Sequence, residues 1–138
     1  MCENLMRPDE IDNLVKINVE RLKNLDGFEK VRFIILYGSA AEGTTRENSD
    51  IDLCIDIDAD TDYERSKFRL KVLSELPDFF DVQIFAQLPV YVKKEVLKGR
   101  VVFCRDEEHL YEVAISTLKE FDDFKYRYYD YIGERALA

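Results

Sequence analysis

Cysteine, histidine and basic charge are all scarce in this chain, and each shortage removes a class of function. The three cysteines, Cys2, Cys54 and Cys104, are odd in number and have no C-x-x-C spacing. Neither a disulfide framework nor a zinc knuckle is expected, and free thiols fit a reducing cytoplasm. His109 is the only histidine. Set beside Glu107 and Glu108 at the start of the last predicted helix, it reads as a surface residue, and no Ser-His or Cys-His nucleophile pair is required of it. Lys and Arg number 20 against 29 Asp and Glu, a net charge of −9. Loose binding to a polyanion is driven by neutralising phosphates, so a long nucleic acid is not expected as a substrate. A nucleotide delivered with a divalent metal, or a partner with a basic surface, stays compatible with this charge. No apolar run approaches the roughly 18 residues of a membrane span, and the start MCENLMRPDE has neither the basic residues nor the apolar core of a signal peptide. No membrane is expected as a partner.

What is present suits one ordinary core. The chain has 138 residues, of which 46% are hydrophobic and 12% aromatic, and no repeat, low-complexity tract or linker divides it. Residues 1–138 therefore read as a single domain. Ile11, Leu14, Val15, Leu22 and Leu25 recur at helical spacing between Pro8 and Asp26-Gly27, predicting a helix over about 9–25. VRFIILY, 31–37, is short and rich in β-branched and aromatic residues, as a buried strand is. From Asp50 the chain alternates strictly, with Asp50, Asp52, Cys54, Asp56 and Asp58 on one face and Ile51, Leu53, Ile55 and Ile57 on the other. Thr61 to Glu64 matches a capping box for a helix over about 62–76, ended by Pro77. FFDVQIF, 79–85, predicts a third strand with Asp81, Gln83 and Phe85 on one face. Pro89 and Gly99 bracket a short helix, VVFC at 101–104 a fourth strand, and Asp106 a cap for a last helix running to about 132. The fold class is mixed α/β (α+β): a sheet of about four strands flanked by helices.

The chemistry-bearing residues lie at the ends of these strands. Asp50 and Asp52, two apart on one strand, project from the same face about 6.6–6.8 Å apart, within reach of one or two neighbouring cations. Oxygen-only ligands favour magnesium or manganese over zinc. Asp81 stands inside an apolar strand expected to be adjacent, where it can complete the set. Three crowded carboxylates repel one another unless a metal compensates them. At the end of the preceding strand, Gly38 lets backbone approach a ligand closely and the Ser39 hydroxyl can donate to a phosphate oxygen. The small residues Ala40 and Ala41 can begin a helical turn, and Thr44 to Ser49 reads as a polar loop.

Gly-Ser, ten residues, then Asp-x-Asp resembles the signature of the polymerase-β-like nucleotidyltransferase superfamily. The short chain, the loop GSAAEGTTRENSDIDL and the later FFDVQIF resemble its minimal nucleotidyltransferase branch, the MNT proteins encoded beside HEPN-domain toxins. The resemblance spans essentially the whole chain. It implies that Asp50 and Asp52 hold two magnesium ions (manganese is possible), that Asp81 ligates one metal and helps activate the attacking hydroxyl, and that Gly38 and Ser39 bind the triphosphate. It implies ATP as donor, in-line attack on its α-phosphorus with loss of pyrophosphate, and a tyrosine of a HEPN toxin as acceptor, so that AMP transfer silences the toxin. One departure concerns the loop, where relatives often read G-S-x-A-R-G and this chain has Ala40 and Glu42. A carboxylate there is expected to weaken triphosphate binding, and Arg46 of the same loop could compensate.

Two other functions remain open: an antitoxin that neutralises its partner by occupancy alone, and a small-molecule nucleotidyltransferase, against which the short chain argues because no second domain is expected to cradle the acceptor. Asp56 and Asp58 read as the solvated exit of their strand, and Cys54 as a buried free thiol. Tyr126, Tyr128, Tyr129 and Tyr131 cannot all share one helical face, which points to a partner surface near the C-terminus.

Overall fold

The computed structural model describes residues 8–38 and 51–137, the stretch 128–137 as backbone. Helix α1, Pro8–Leu22, leads through a 3-10 turn, Phe28–Lys30, into strand β1, Val31–Tyr37. After β2, Ile51–Ile57, come α2, Asp62–Glu75, and β3, Phe80–Ile84. A second 3-10 turn, Phe85–Gln87, then leads to α3, Val90–Leu97, to β4, Arg100–Cys104, and to α4, Glu107–Leu137. The strands lie in the order β3-β2-β1-β4. β1 is antiparallel to both of its neighbours, whereas β2 and β3, joined through α2, run parallel. The sheet is therefore mixed, as expected.

One face of the sheet carries the larger core. Ile34 and Leu36 of β1, Ile51, Leu53, Ile55 and Ile57 of β2, and Phe80, Val82 and Ile84 of β3 pack against α1 and α2. From the helices come Ile11, Val15, Val19 and Leu22, and Phe68, Val72 and Leu76. The opposite face holds a smaller core of Phe33, Ile35, Cys54, Phe85 and Val96, closed by Val92 and Leu97 around α3 and by Leu110 and Val113 of α4. Period-two strands with an apolar set on each side need a layer of helices on both, and both layers are present.

Local signals set the element ends. The amide of Glu64 donates to Thr61 Oγ1 at 3.2 Å, and the amide of Asp60 to Glu64 Oε2 at 3.3 Å, so the capping box closes. Asp106 caps α4 by accepting from the His109 amide at 3.2 Å. Pro89 is the cap of α3 and not its first helical residue, its carbonyl accepting from Val92 and Lys93 at 3.0 Å. α1 stops at Leu22, short of 25, because the following amides of Asn24 and Leu25 bond three residues back, as in a tighter turn. Phe79 and Phe85 fall just outside β3, and α4 continues past 132 to Leu137. Gly99 lies against β1, where a Cβ would strike the carbonyl oxygen of Leu36. No described helix is long and apolar enough to cross a membrane.

Leu53 sits at the centre of the larger core with no exposure, while Leu70 on α2 is 63% exposed. Leu53→Ala is expected to cost about 2–5 kcal/mol and Leu70→Ala less than about 0.5 kcal/mol, measured by urea unfolding.

Candidate active site

Strand pairing lines up three polar side chains in one row across the sheet. Tyr37 is the partner of Asp52 between β1 and β2, and Asp52 is the partner of Asp81 between β2 and β3. Neighbouring strands are about 4.7–4.9 Å apart, so the two aspartates project side by side from one face. All three side chains are half-buried. The next row, Ile35, Cys54 and Gln83, begins the descent into the smaller core.

Gly38 follows Tyr37 with a φ of 74°, a left-handed conformation that favours glycine. A Cβ added there would lie 2.6 Å from Asp52 Oδ2, so the backbone at Gly38 and the Asp52 carboxylate are in close approach. Ser39, Ala40, Ala41, Glu42, the polar loop with Arg46, and Asp50 all lie outside the described residues. So do the side chains of Tyr128, Tyr129 and Tyr131, while Tyr126 is 73% exposed on α4.

Asp81 is engaged at both carboxylate oxygens. Gln83 donates from Nε2 to Oδ2 at 3.3 Å, and Arg69 Nη2 of α2 stands 3.8 Å from Oδ1. Gln83 was visible in the sequence as a residue two on from Asp81. Arg69 was not, because it lies twelve positions away on a different element. Burial, and after it the charges of Asp52 and Asp81, push the Tyr37 phenol well above its ordinary range.

Among the described residues, no group of three or more His, Cys, Asp or Glu gathers as a metal cage. What they contain is the adjacent pair Asp52 and Asp81, both oxygen donors and both half-buried. That donor set fits a hard divalent cation such as Mg2+ or Mn2+, which completes its shell with further oxygens, and does not suit a soft metal.

The other end of β2 corrects two expectations. Asp56 is no solvated strand exit but 4% exposed, and His109 is no free surface residue. Arg32 Nε donates to Asp56 Oδ2 at 2.8 Å and His109 Nε2 lies 3.0 Å from the same oxygen. The first turns of α4 cover this part of the face, so an aspartate there survives by taking cationic or polar partners. Asp58, one step further, is exposed. Cys54 is a buried free thiol, and burial followed by the charge of Asp56 pushes its ionisation far above the usual thiol range despite nearby Lys93. It is not a nucleophile.

The sequence model of the Polymerase beta nucleotidyltransferase family matches residues 20–108. A candidate protein adenylyltransferase of Methanocaldococcus jannaschii is 38% identical over 87 residues, covering 60% of this chain. The match spans 66% of that relative's length. Among solved structures, a crystal structure of a toxin-antitoxin with AMP-PNP superposes with a TM-score of 0.67 at 22% identity, covering 91% of this chain and 99% of the other. A tri-AMPylated Shewanella oneidensis HEPN toxin in complex with MNT antitoxin gives a TM-score of 0.64 at 18% identity, with 91% and 99% covered.

Two substitutions test the geometry. Gly38→Ala is expected to cost about 1–3 kcal/mol in urea unfolding, because a left-handed φ and a clash with Asp52 are imposed together. Asp56→Ala, which leaves Arg32 and His109 without their acceptor, is expected to cost about 2–4 kcal/mol in the same assay, discounted for the partial exposure of both partners.

Proposed function

Because this chain belongs to the Polymerase beta nucleotidyltransferase family, we propose that it transfers AMP from ATP to a hydroxyl of a protein partner and acts as an antitoxin. The partner we infer is a HEPN-domain toxin, modified on a tyrosine, in the cytoplasm. The observation that carries the reading is the register pair Asp52 and Asp81 beside the close-approach glycine Gly38. The relative named an adenylyltransferase and the AMP-PNP and AMPylated-toxin complexes support the same chemistry.

The residues divide the work as follows. Asp50, Asp52 and Asp81 would hold two Mg2+ ions, with Mn2+ as a substitute. When bound, the metal supplies Lewis-acid stabilisation of the attacking and leaving oxygens. Gly38 brings backbone close to the triphosphate, and Ser39 adds a hydroxyl donor. Asp81 would orient the acceptor hydroxyl and take up its proton. The acceptor oxygen then bonds to the α-phosphorus as the bond to pyrophosphate breaks in line. Tyr37, at the β1 end of this row, stays neutral.

The test is transfer of label from α-labelled ATP with Mg2+ to a co-expressed HEPN partner. Asp52→Asn and Asp81→Asn are each expected to lower labelling at least about 100-fold while circular dichroism is unchanged. Asp50→Asn/Asp52→Asn is expected to fold normally and to melt no lower than the parent without metal, since like-charge repulsion is removed. Neutralisation of the partner by that double variant, unlabelled and undiminished, would establish occupancy as the mechanism and sink the transfer reading. Labelling of a small molecule in place of the partner would sink the antitoxin reading.

A further inference from the structure

α2 lies beneath the face of the sheet opposite the carboxylates, anchored by Phe68 and Val72. Arg69 follows Phe68, and its side chain passes around the edge of β3 that faces away from β2. There its Nε donates to the carbonyl of Val82 at 2.6 Å, while Nη2 reaches to 3.8 Å from Asp81 Oδ1. The short bond is the one to the backbone. The guanidinium is thereby tethered at the sheet edge, beside Asp81. Gln83 holds the other oxygen of Asp81 from the same strand at 3.3 Å.

A fixed positive charge beside a metal-ligating carboxylate has two opposed effects. It offsets the repulsion between Asp52 and Asp81 and keeps Asp81 oriented when no cation is present. It also repels a cation that joins the pair, because the guanidinium stays charged and is held at the sheet edge by its bond to Val82. A triphosphate reverses the balance, since its negative charge outweighs one guanidinium.

We propose that Arg69 is a positioning residue that orients Asp81 and, through its fixed charge, keeps divalent-metal affinity at Asp52 and Asp81 low until a nucleoside triphosphate arrives. The proposal rests on Asp81 being a metal ligand, as read above. It makes metal and nucleotide bind as a pair, with little metal held by the protein alone.

Titration of the full chain with Mn2+, following the free ion by electron paramagnetic resonance, tests this directly. Without nucleotide, Arg69→Met is expected to bind Mn2+ about three- to tenfold more tightly than the parent, the partial exposure of the site limiting the effect. Arg69→Lys, which keeps the charge, is expected to stay within about twofold of the parent. With an α,β-methylene ATP analogue present, the advantage of Arg69→Met should shrink to under about twofold. A site that is merely loosened loses metal, so a gain in affinity separates charge from structure. Equal or weaker Mn2+ binding by Arg69→Met overturns the proposal, as does a gain that the analogue leaves undiminished. Arg69→Gln, which retains a donor for Val82, gives the same reading if the methionine variant does not fold. Failure of the underlying assignment looks different: Asp81→Asn would then bind Mn2+ as the parent does.

Discussion

Parallel pairing of β2 with β3 is the constraint on which the site depends. It makes Asp52 and Asp81 register partners, so two carboxylates are held about one strand spacing apart. Repulsion at that distance is on the order of 1–3 kcal/mol for partly exposed groups. Burial of Phe80, Val82 and Ile84 on the other face opposes it, each contributing about 1.5–3 kcal/mol. A slip of one residue would relieve the carboxylates only by turning Phe80, Val82 and Ile84 out of the core and Asp81 into it. Burial wins, and the hydrophobic pattern of β3 thereby enforces a polar arrangement on its opposite face.

The same face of β2 carries Asp52 and Asp56, and the fold gives them different fates. Asp56 lies under the first turns of α4, where Arg32 and His109 share one of its oxygens and tie helix to sheet. Asp52 lies at the end where the chain leaves β1 through Gly38, half-buried and in close approach to that glycine. One aspartate is an anchor beneath α4, and the other is half-buried beside Gly38. Asp81 is intermediate: partly exposed, held by Gln83 and accompanied by a guanidinium from the layer beneath.

Much of this was legible in the residues themselves. The alternation from Ile51 to Ile57 and the apolar runs at 31–37 and 79–85 mark three of the strands within a residue or two, and the Thr61 box and Asp106 mark two helix starts. These signals are local, since period, caps and turn residues act over a few positions. Gln83 beside Asp81 is local in the same sense. Arg69 at Asp81 and His109 at Asp56 are not, because each crosses between elements whose relative placement no short-range pattern encodes. Judging His109 by its neighbours Glu107 and Glu108 gives a surface residue. Judging it by its spatial neighbours gives a partner for a buried carboxylate.

Sequence alone determined which residues can share a face and where the backbone can turn, because a pleated strand alternates strictly and only glycine readily takes the φ found at Gly38. It thereby settled the candidate carboxylates and the strand ends that carry them. Tertiary structure decided which of those faces stays open. Strand order brought Asp81 to Asp52, the packing of α4 closed over Asp56, and the reach of Arg69 round the edge of β3 set a fixed charge beside the site. Those outcomes depend on contacts between residues far apart in the chain, formed as each element buries its own apolar side.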